Sequence, residues 1–394
     1  MRILIVEDEA VNRRLLVRTL EKWGHIVIST TDGDEAWTLL QKEEIQLVLS
    51  DWIMPRMTGL ELCRRIRAAQ FLAYVYFILV TSKIGKDDLV EGLAAGADDF
   101  ISKPFHEGEL RARINAGARI VNLEHELQAR NRELSQAYDS ISKDLHAASH
   151  MQQAMLPSSS VAIAGLQFAW LFCPHTFVAG DIFNFHQLDD DHVSFYMIDV
   201  AGHGVAAAMQ SVTLSRFLSP LPQQDSLLKR YEPDSSRYVI NPPEAVIRFL
   251  NNRFQEEADA LRYFTMVYGV VNLTTNRVRL TQAGHPSPLH QRQATITVIG
   301  DGGFPVGMLP EATYESVEFD FQPGDRLLVY SDGVSECGNP NHGEFSSERL
   351  ATLLREGKGL PLQQMVDTIE QQLRSWRGNN SFDDDVTLFA IERK

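Results

Sequence analysis

Four acidic positions, far apart along the chain, sit where apolar strand-like runs stop. They are Asp181 in "VAGD", Asp199 in "FYMIDVAGHGVAAAM", Asp332 in "LVYSDG" and the Asp383–Asp385 triplet of "DDDVTLFAI". Gathered into one cleft, these edges would concentrate negative charge that only bound divalent cations neutralise. Mg²⁺ and Mn²⁺ suit such all-oxygen surroundings. Two ions sharing a water lower its pKa and turn it against phosphorus, with no protein nucleophile required. The chemistry expected of the C-terminal half is therefore metal-dependent hydrolysis. Cys173 and Cys337 lack the Cys-x₅-Arg spacing of a thiol-based phosphatase. Gly180, Gly202, Gly204 and Gly333 flank the acids and permit tight turns and close backbone approach. Taken singly, each acid has a plainer role: "SDG" is a turn, and an Asp triplet is a solvated loop. His203 and His285, each beside a glycine, read as structural rather than as proton donors.

A second constellation lies near the N-terminus. Glu7 and Asp8 follow the first apolar run, Asp51 ends the third, Thr81 and Ser82 end the fourth, and Lys103-Pro104 follow the fifth. In a doubly wound parallel sheet the carboxyl ends of the strands converge on one site. Three carboxylates there form a pocket for Mg²⁺, and one can attack an incoming phosphoryl group. The Lys103 ammonium supplies a point charge for that group, and the Thr81 hydroxyl a donor. Lys103-Pro104 suits a tight turn compatible with a cis bond.

The elements that must position these residues divide the chain in three. Residues 1–120 alternate strands (Ile3–Val6, Val27–Ser29, Leu47–Leu49, Phe77–Val80, Phe100–Ile101) with amphipathic helices such as Asn12–Lys22 and Asp34–Lys42, with Asp34 as N-cap. Residues 121–157 are a helical linker that ends at Pro157 and the Ser158–Ser160 run. Ile120, Leu127, Leu134, Ile141, Ala148 and Met155 recur every seventh residue, while the partner seam of Asn131, Tyr138, Leu145 and Gln152 is poorer. This pattern predicts a coiled-coil homodimer; a single helix lying on one domain is the alternative. Residues 158–394 mix strand runs (Gln167–Phe172, Ser194–Asp199, Phe264–Asn272, Arg277–Thr281, Thr295–Ile299, Arg326–Tyr330, Val386–Ile391) with helices near Gly204–Leu218, Pro243–Glu257, Ser347–Arg355 and Leu362–Trp376. That mixture predicts an α+β layered domain. Segment 220–241 reads as a polar loop or insertion.

Residues 1–120 resemble the receiver domain of two-component response regulators, through "LIVEDE", "LVLSDWIMPRMTGLEL", "FILVTS" and "GADDFISKPF". The resemblance implies a five-stranded doubly wound fold and a sensor histidine kinase as phosphodonor. It makes Asp51 the phospho-acceptor, with Glu7, Asp8, Asp51 and the Ile53 carbonyl around Mg²⁺. Thr81 and Lys103 would hold the phosphoryl group, and Phe100 would be the aromatic switch. Glu7 replaces the commoner Asp.

Residues 150–394 look like the metal-dependent protein phosphatases of type 2C (PPM), in their bacterial SpoIIE-like branch. The pieces are "MQQAMLP", "VAGDIFNF", "IDVAGHGVAAAM", "TQAGHPSPL", "GFPVGML", "LLVYSDGVSE" and "DDDVTLFAI". This resemblance implies an α-β-β-α sandwich and two Mn²⁺ or Mg²⁺ ions. Asp181, Asp199, the Val200 carbonyl, Asp332 and Asp384 would hold them, Asp384 fitting the register better than Asp383 or Asp385. It also implies a phosphoserine substrate in a STAS-type anti-sigma-factor antagonist. Ala179 replaces a usual Gly, and Asn184 stands where an acid is common.

Bulk properties narrow the alternatives. A chain of 394 residues with 44% hydrophobic content exceeds one ordinary core. The net charge of −15 argues against nucleic acid and anionic membranes as partners. Three scattered cysteines suggest neither a disulfide framework nor a zinc site, and favour a reduced, cytoplasmic setting. The expected function is a response regulator with a serine/threonine phosphatase output. The rival is a non-catalytic adaptor binding a sigma-factor regulatory partner, which loss of any of the four aspartates would favour.

Overall fold

The short apolar runs of the N-terminal third are strands buried on both faces. In the computed structural model the described residues are 1–69, 71, 73–82, 86–157, 163, 165–220, 226–233, 237–255, 263–339, 341–378 and 381–394. They fall into two compact units, Met1–Ser140 and Ile141–Lys394.

In the first unit, strands β1 (Arg2–Val6), β2 (Ile26–Thr30), β3 (Leu47–Asp51), β4 (Tyr76–Thr81) and β5 (Asp99–Ser102) form one sheet in the order β2-β1-β3-β4-β5. Every pairing is parallel. Helices α1 (Ala10–Lys22), α2 (Gly33–Leu40), α3 (Gly59–Ala68) and α4 (Lys86–Ala94) connect them, and α5 (Glu107–Gln153) follows. Leu16 and Leu20 of α1 and Leu110, Ile114 and Val121 of α5 cover one face of the sheet. Ala36 and Leu40 of α2 and Leu60, Leu62, Cys63 and Ile66 of α3 cover the other. This is the doubly wound arrangement expected of the sequence.

The second unit contains strands β6 (Leu166–Cys173), β7 (Ile182–Gln187), β8 (His192–Val200), β9 (Lys229–Glu232), β10 (Arg237–Ile240), β11 (Phe264–Asn272), β12 (Arg277–Ala283), β13 (Leu289–Arg292), β14 (Thr295–Val298), β15 (Ser316–Asp320), β16 (Arg326–Tyr330), β17 (Gly338–Asn339), β18 (Gly343–Glu344) and β19 (Val386–Arg393). Its helices are α6 (Val205–Phe217), α7 (Pro243–Gln255), the short α8 (Asp332–Ser335), α9 (Ser347–Glu356) and α10 (Leu362–Arg377). Two antiparallel five-stranded sheets, ordered β15-β12-β11-β8-β7 and β14-β13-β16-β19-β6, face one another. Phe183, Phe195, Val267 and Leu280 of the first meet Leu327, Val329, Phe389 and Ile391 of the second between them. Leu214 of α6 and Val246, Ile247 and Leu250 of α7 back the first sheet. Leu350 and Leu354 of α9 and Met365, Ile369 and Leu373 of α10 back the second. The layers are α-β-β-α, as expected.

Several local expectations need correction. Asp32, not Asp34, caps α2: its carboxylate accepts from the backbone N–H groups of Asp34 (2.9 Å) and Glu35 (3.0 Å). An N-cap must lie outside the helix with its side chain reaching back to N2 and N3, and Asp34 is already helical. The helix then ends at Leu40, short of Lys42. The 220–241 segment is not all loop, because β9 and β10 within it pair antiparallel; its residues 221–225 and 234–236 lie outside the described residues. Helix α5 ends at Gln153, ahead of Pro157. Ser158–Ser160, together with the last two residues of the expected Pro243–Glu257 helix, lies outside the described residues. No described helix is long and apolar enough to cross a membrane.

Candidate active site

The acidic residues of the first unit gather at the carboxyl edge of its sheet. Glu7 and Asp8 follow β1 directly, and Asp51 ends β3. One oxygen from each lies within 4.8 Å of the others, an arrangement able to hold a metal ion. Lys103, carried past β5, donates from Nζ to Glu7 Oε2 (2.8 Å) and Asp51 Oδ2 (2.5 Å). Burial lowers the Lys103 pKa, but its bonds to Asp51 and Glu7 outweigh this and raise it overall. Burial also lifts Glu7 above the ordinary carboxylate range, against the pull of Lys103. The Lys103–Pro104 peptide is cis. Thr81 ends β4 and is buried. Phe100 lies on β5, half-buried, under the Arg113 guanidinium at 5.8 Å. The backbone N–H of Ile53 reaches toward Asp51 Oδ1 at 3.4 Å. Gly59 is required at the start of α3, because a Cβ there would lie 2.1 Å from the Asp51 carbonyl oxygen.

In the second unit, strand register brings the distant aspartates together. Strands β7 and β8 pair Ile182 with Ile198, which places Asp181 and Asp199 side by side one step further on. Strands β16 and β19 pair Tyr330 with Leu388, and the segments at that end carry Asp332, the first residue of α8, and Asp384. Val200 closes β8 and is fully buried. Asp181 is 1% exposed, and its Oδ2 has no hydrogen-bond partner. Burial, then the charges of Asp199 and Asp385, raise its pKa well above the usual range. Burial, followed by Asp332, Asp384, Asp385 and Glu336, pushes Asp199 up to about 8. Burial, followed by Asp384 and Glu336, pushes Asp332 up to about 6. These carboxylates cannot all ionise at neutral pH without added positive charge.

An orphaned oxygen on a buried carboxylate that also feels the charges of Asp199 and Asp385 fits a divalent cation. The ligands are spread more widely than in the first unit. Among the described residues, only Glu7, Asp8 and Asp51 bring three ligand atoms within 4.8 Å of one another.

The three acids of the triplet have separate surroundings. Asp383 is exposed and pairs with Arg377. Asp385 is buried and accepts from the backbone N–H groups of His175 and Gly180, both at 2.7 Å. Asp384 lies between them, near Asp199 and Asp332. Gly333 must lack a side chain, since a Cβ would stand 2.1 Å from the Asp385 carbonyl oxygen. His285 shares a 2.7 Å hydrogen bond with the Thr265 hydroxyl, and burial drives its pKa down to about 3. A neutral, buried ring of this kind is a poor acid. Sequence reading passed over Glu336 and the structural grip of Asp385. Glu336 lies four residues beyond Asp332, which was the available signal.

Folds and sites together define a receiver joined to a PP2C-type domain. The family model for Stage II sporulation protein E (SpoIIE) matches residues 189–394, and that for the response regulator receiver domain matches residues 3–115. The first match spans just over half of the chain, which belongs to the SpoIIE family, with a receiver domain on its N-terminal side. The chain is 37% identical over 116 residues to the chemotaxis protein CheY homolog of Campylobacter jejuni, covering 29% of this chain and 89% of that one. It is 42% identical over 116 residues to the two-component response regulator PhoP of Pseudomonas aeruginosa, covering 29% and 51%. The solved SiaA-PP2C domain of Pseudomonas aeruginosa superposes with a TM-score of 0.54 at 20% identity, over 66% of this chain and 99% of that chain. At that identity the likeness is one of fold.

Proposed function

We propose that this protein is a response regulator whose output domain hydrolyses phosphoserine or phosphothreonine in a protein substrate. The observation that carries the reading is Asp181, a buried carboxylate with an unpartnered oxygen beside Asp199, which in turn feels the charges of Asp332 and Asp384. Asp181, Asp199, the Val200 carbonyl, Asp332 and Asp384 would hold two Mn²⁺ or Mg²⁺ ions. Bound there, the ions supply an activated water and neutralise charge on the phosphoryl group. The chain's own part is to keep these carboxylates dry and fixed by strand register. No side chain need act as nucleophile.

In the receiver, Asp51 takes the phosphoryl group from a sensor histidine kinase. Its oxygen–phosphorus bond forms as the bond between phosphorus and the kinase imidazole breaks. Glu7, Asp8, Asp51 and the Ile53 carbonyl would hold Mg²⁺, Lys103 and Thr81 would engage the phosphoryl oxygens, and Phe100 would respond. We assign residues 1–120 to the receiver, 121–157 to a linker that pairs two copies as a coiled coil, and 158–394 to the phosphatase. The setting is the cytoplasm. The substrate class, a phosphorylated STAS-type anti-sigma-factor antagonist, rests on family resemblance alone.

The test is hydrolysis of phosphorylated STAS proteins and of a generic aryl phosphate with Mn²⁺, comparing wild type with Asp199→Asn. The variant should lose more than the roughly 10–100-fold that second-shell changes around a metal cost. Unaltered turnover would remove Asp199 from the metal site. A non-catalytic adaptor is the second reading, favoured by the wide spacing of the output aspartates. It predicts binding of the same partners without phosphate release by wild type.

A further inference from the structure

We propose that Gln152 is a positioning residue that sets the Asp181 carboxylate for its divalent cation. The inference rests on the metal-dependent reading above. Gln152 lies in the last turn of α5, within the second unit, and is 3% exposed. Its side-chain amide pairs with both backbone groups of Ala179. Nε2 donates to the Ala179 carbonyl at 2.7 Å, and Oε1 accepts from the Ala179 N–H at 3.0 Å. Nε2 also reaches the Ser211 hydroxyl on α6 at 3.4 Å. Ala179 is completely buried, so no solvent can replace these partners.

Asp181 lies two residues further on, and its free Oδ2 means that one side of its carboxylate is not anchored by a bond of its own. The Thr387 and Ser331 hydroxyls bear on the carboxylate, and the backbone to either side sets where it stands. Gln152 fixes that backbone at Ala179. Asn184, three residues beyond Asp181, donates from Nδ2 to the Met155 carbonyl at 2.9 Å and ties the other side to the same helix end. Asp385 holds Gly180 in between. A glutamine alone among side chains of this length offers one acceptor and two donors at its tip. Methionine fills the same space with neither strong donor nor acceptor; it would leave the buried Ala179 N–H unpaired and its carbonyl with only the long 3.5 Å contact from the Ser211 hydroxyl. The poor heptad character of position 152 has this explanation: the residue faces the output domain instead of a second helix.

The test uses the full-length chain stripped of metal and carrying Asp8→Asn and Asp51→Asn throughout, which removes the receiver's own cation site; wild type below means this background. Mn²⁺ affinity is measured by titration calorimetry for wild type, Gln152→Met, Asn184→Ala and Val246→Ala, alongside the metal-free Tm. Val246 sits in the α7 core and controls for loss of stability. Gln152→Met should weaken Mn²⁺ binding at least tenfold, Asn184→Ala should weaken it severalfold, and Val246→Ala should lower Tm with affinity intact. Wild-type affinity in Gln152→Met overturns the assignment, as does equal weakening in Val246→Ala. Should Gln152→Met not fold, an unchanged affinity in Asn184→Ala overturns it. Wild type that takes up no Mn²⁺ sinks the metal reading itself. Intact wild-type uptake with unaltered Gln152→Met sinks only the role of Gln152.

Discussion

Burial and neighbouring charges keep protons on Asp199 and Asp332 at pH values where an ordinary aspartate is ionised, so binding of a cation there would release protons. With values near 8 and 6, both above the unfolded range near 3.9, the metal-free fold binds protons that the unfolded chain has lost. The sign follows: their stabilising contribution is complete below about pH 4 and is lost as pH rises toward 8. The Tm of the stripped protein should fall between pH 5 and pH 8, and saturating Mn²⁺ should flatten that slope; thermal scans at several pH values check both. Calorimetry at pH 7 in buffers of different ionisation enthalpy should register protons leaving on Mn²⁺ binding. The sequence pointed to the acids that the fold gathers, because each stands at the end of an apolar run. It was less so about their division of labour. Nothing in "DDD" distinguishes the exposed partner of Arg377, the acid near Asp332 and the buried Asp385; only the pairing of β19 with β6 and β16 does.

At the level of elements, the two sheets of the output domain are joined by stacked rings. Phe389 of β19 lies 5.3 Å from Phe183 and 5.8 Å from both Phe168 and Phe185, at low interplanar angles. Phe389→Ala should cost about 4 kcal/mol of stability, read as a shift in the denaturant midpoint. Helix α5 shows exposed Leu127 and Leu134, at 55% and 69%. On the proposed coiled-coil pairing, replacing both by Asp should lower the mass found by sedimentation equilibrium from two chains to one; an unchanged mass would remove the coiled coil. Strands β8, β11 and β16 were legible because their apolar runs are continuous. Strand β13 was not, since buried His290 and Gln291 break its pattern. The edge strand β15 is half-exposed and reads as loop. Gln152 looked like a flaw in a heptad because periodicity registers polarity but not the partner that satisfies it.

For the molecule as a whole, the receiver has value only if its chemistry reaches the output aspartates. Asp51→Asn should leave basal Mn²⁺-dependent hydrolysis unchanged and abolish any response to acetyl phosphate, checked by rate measurements with and without the phosphodonor. Allostery of this kind needs two states that both sites distinguish. The placement of β19 has a different consequence. It sits between β16 and β6, and the Asp385 it leads from grips His175 across 210 residues of sequence. Loop closure over such a span comes late and slowly in folding. Regain of catalysis on refolding should therefore trail recovery of helical signal, and a partly folded chain would have no competent centre with which to strip phosphate from bystander proteins.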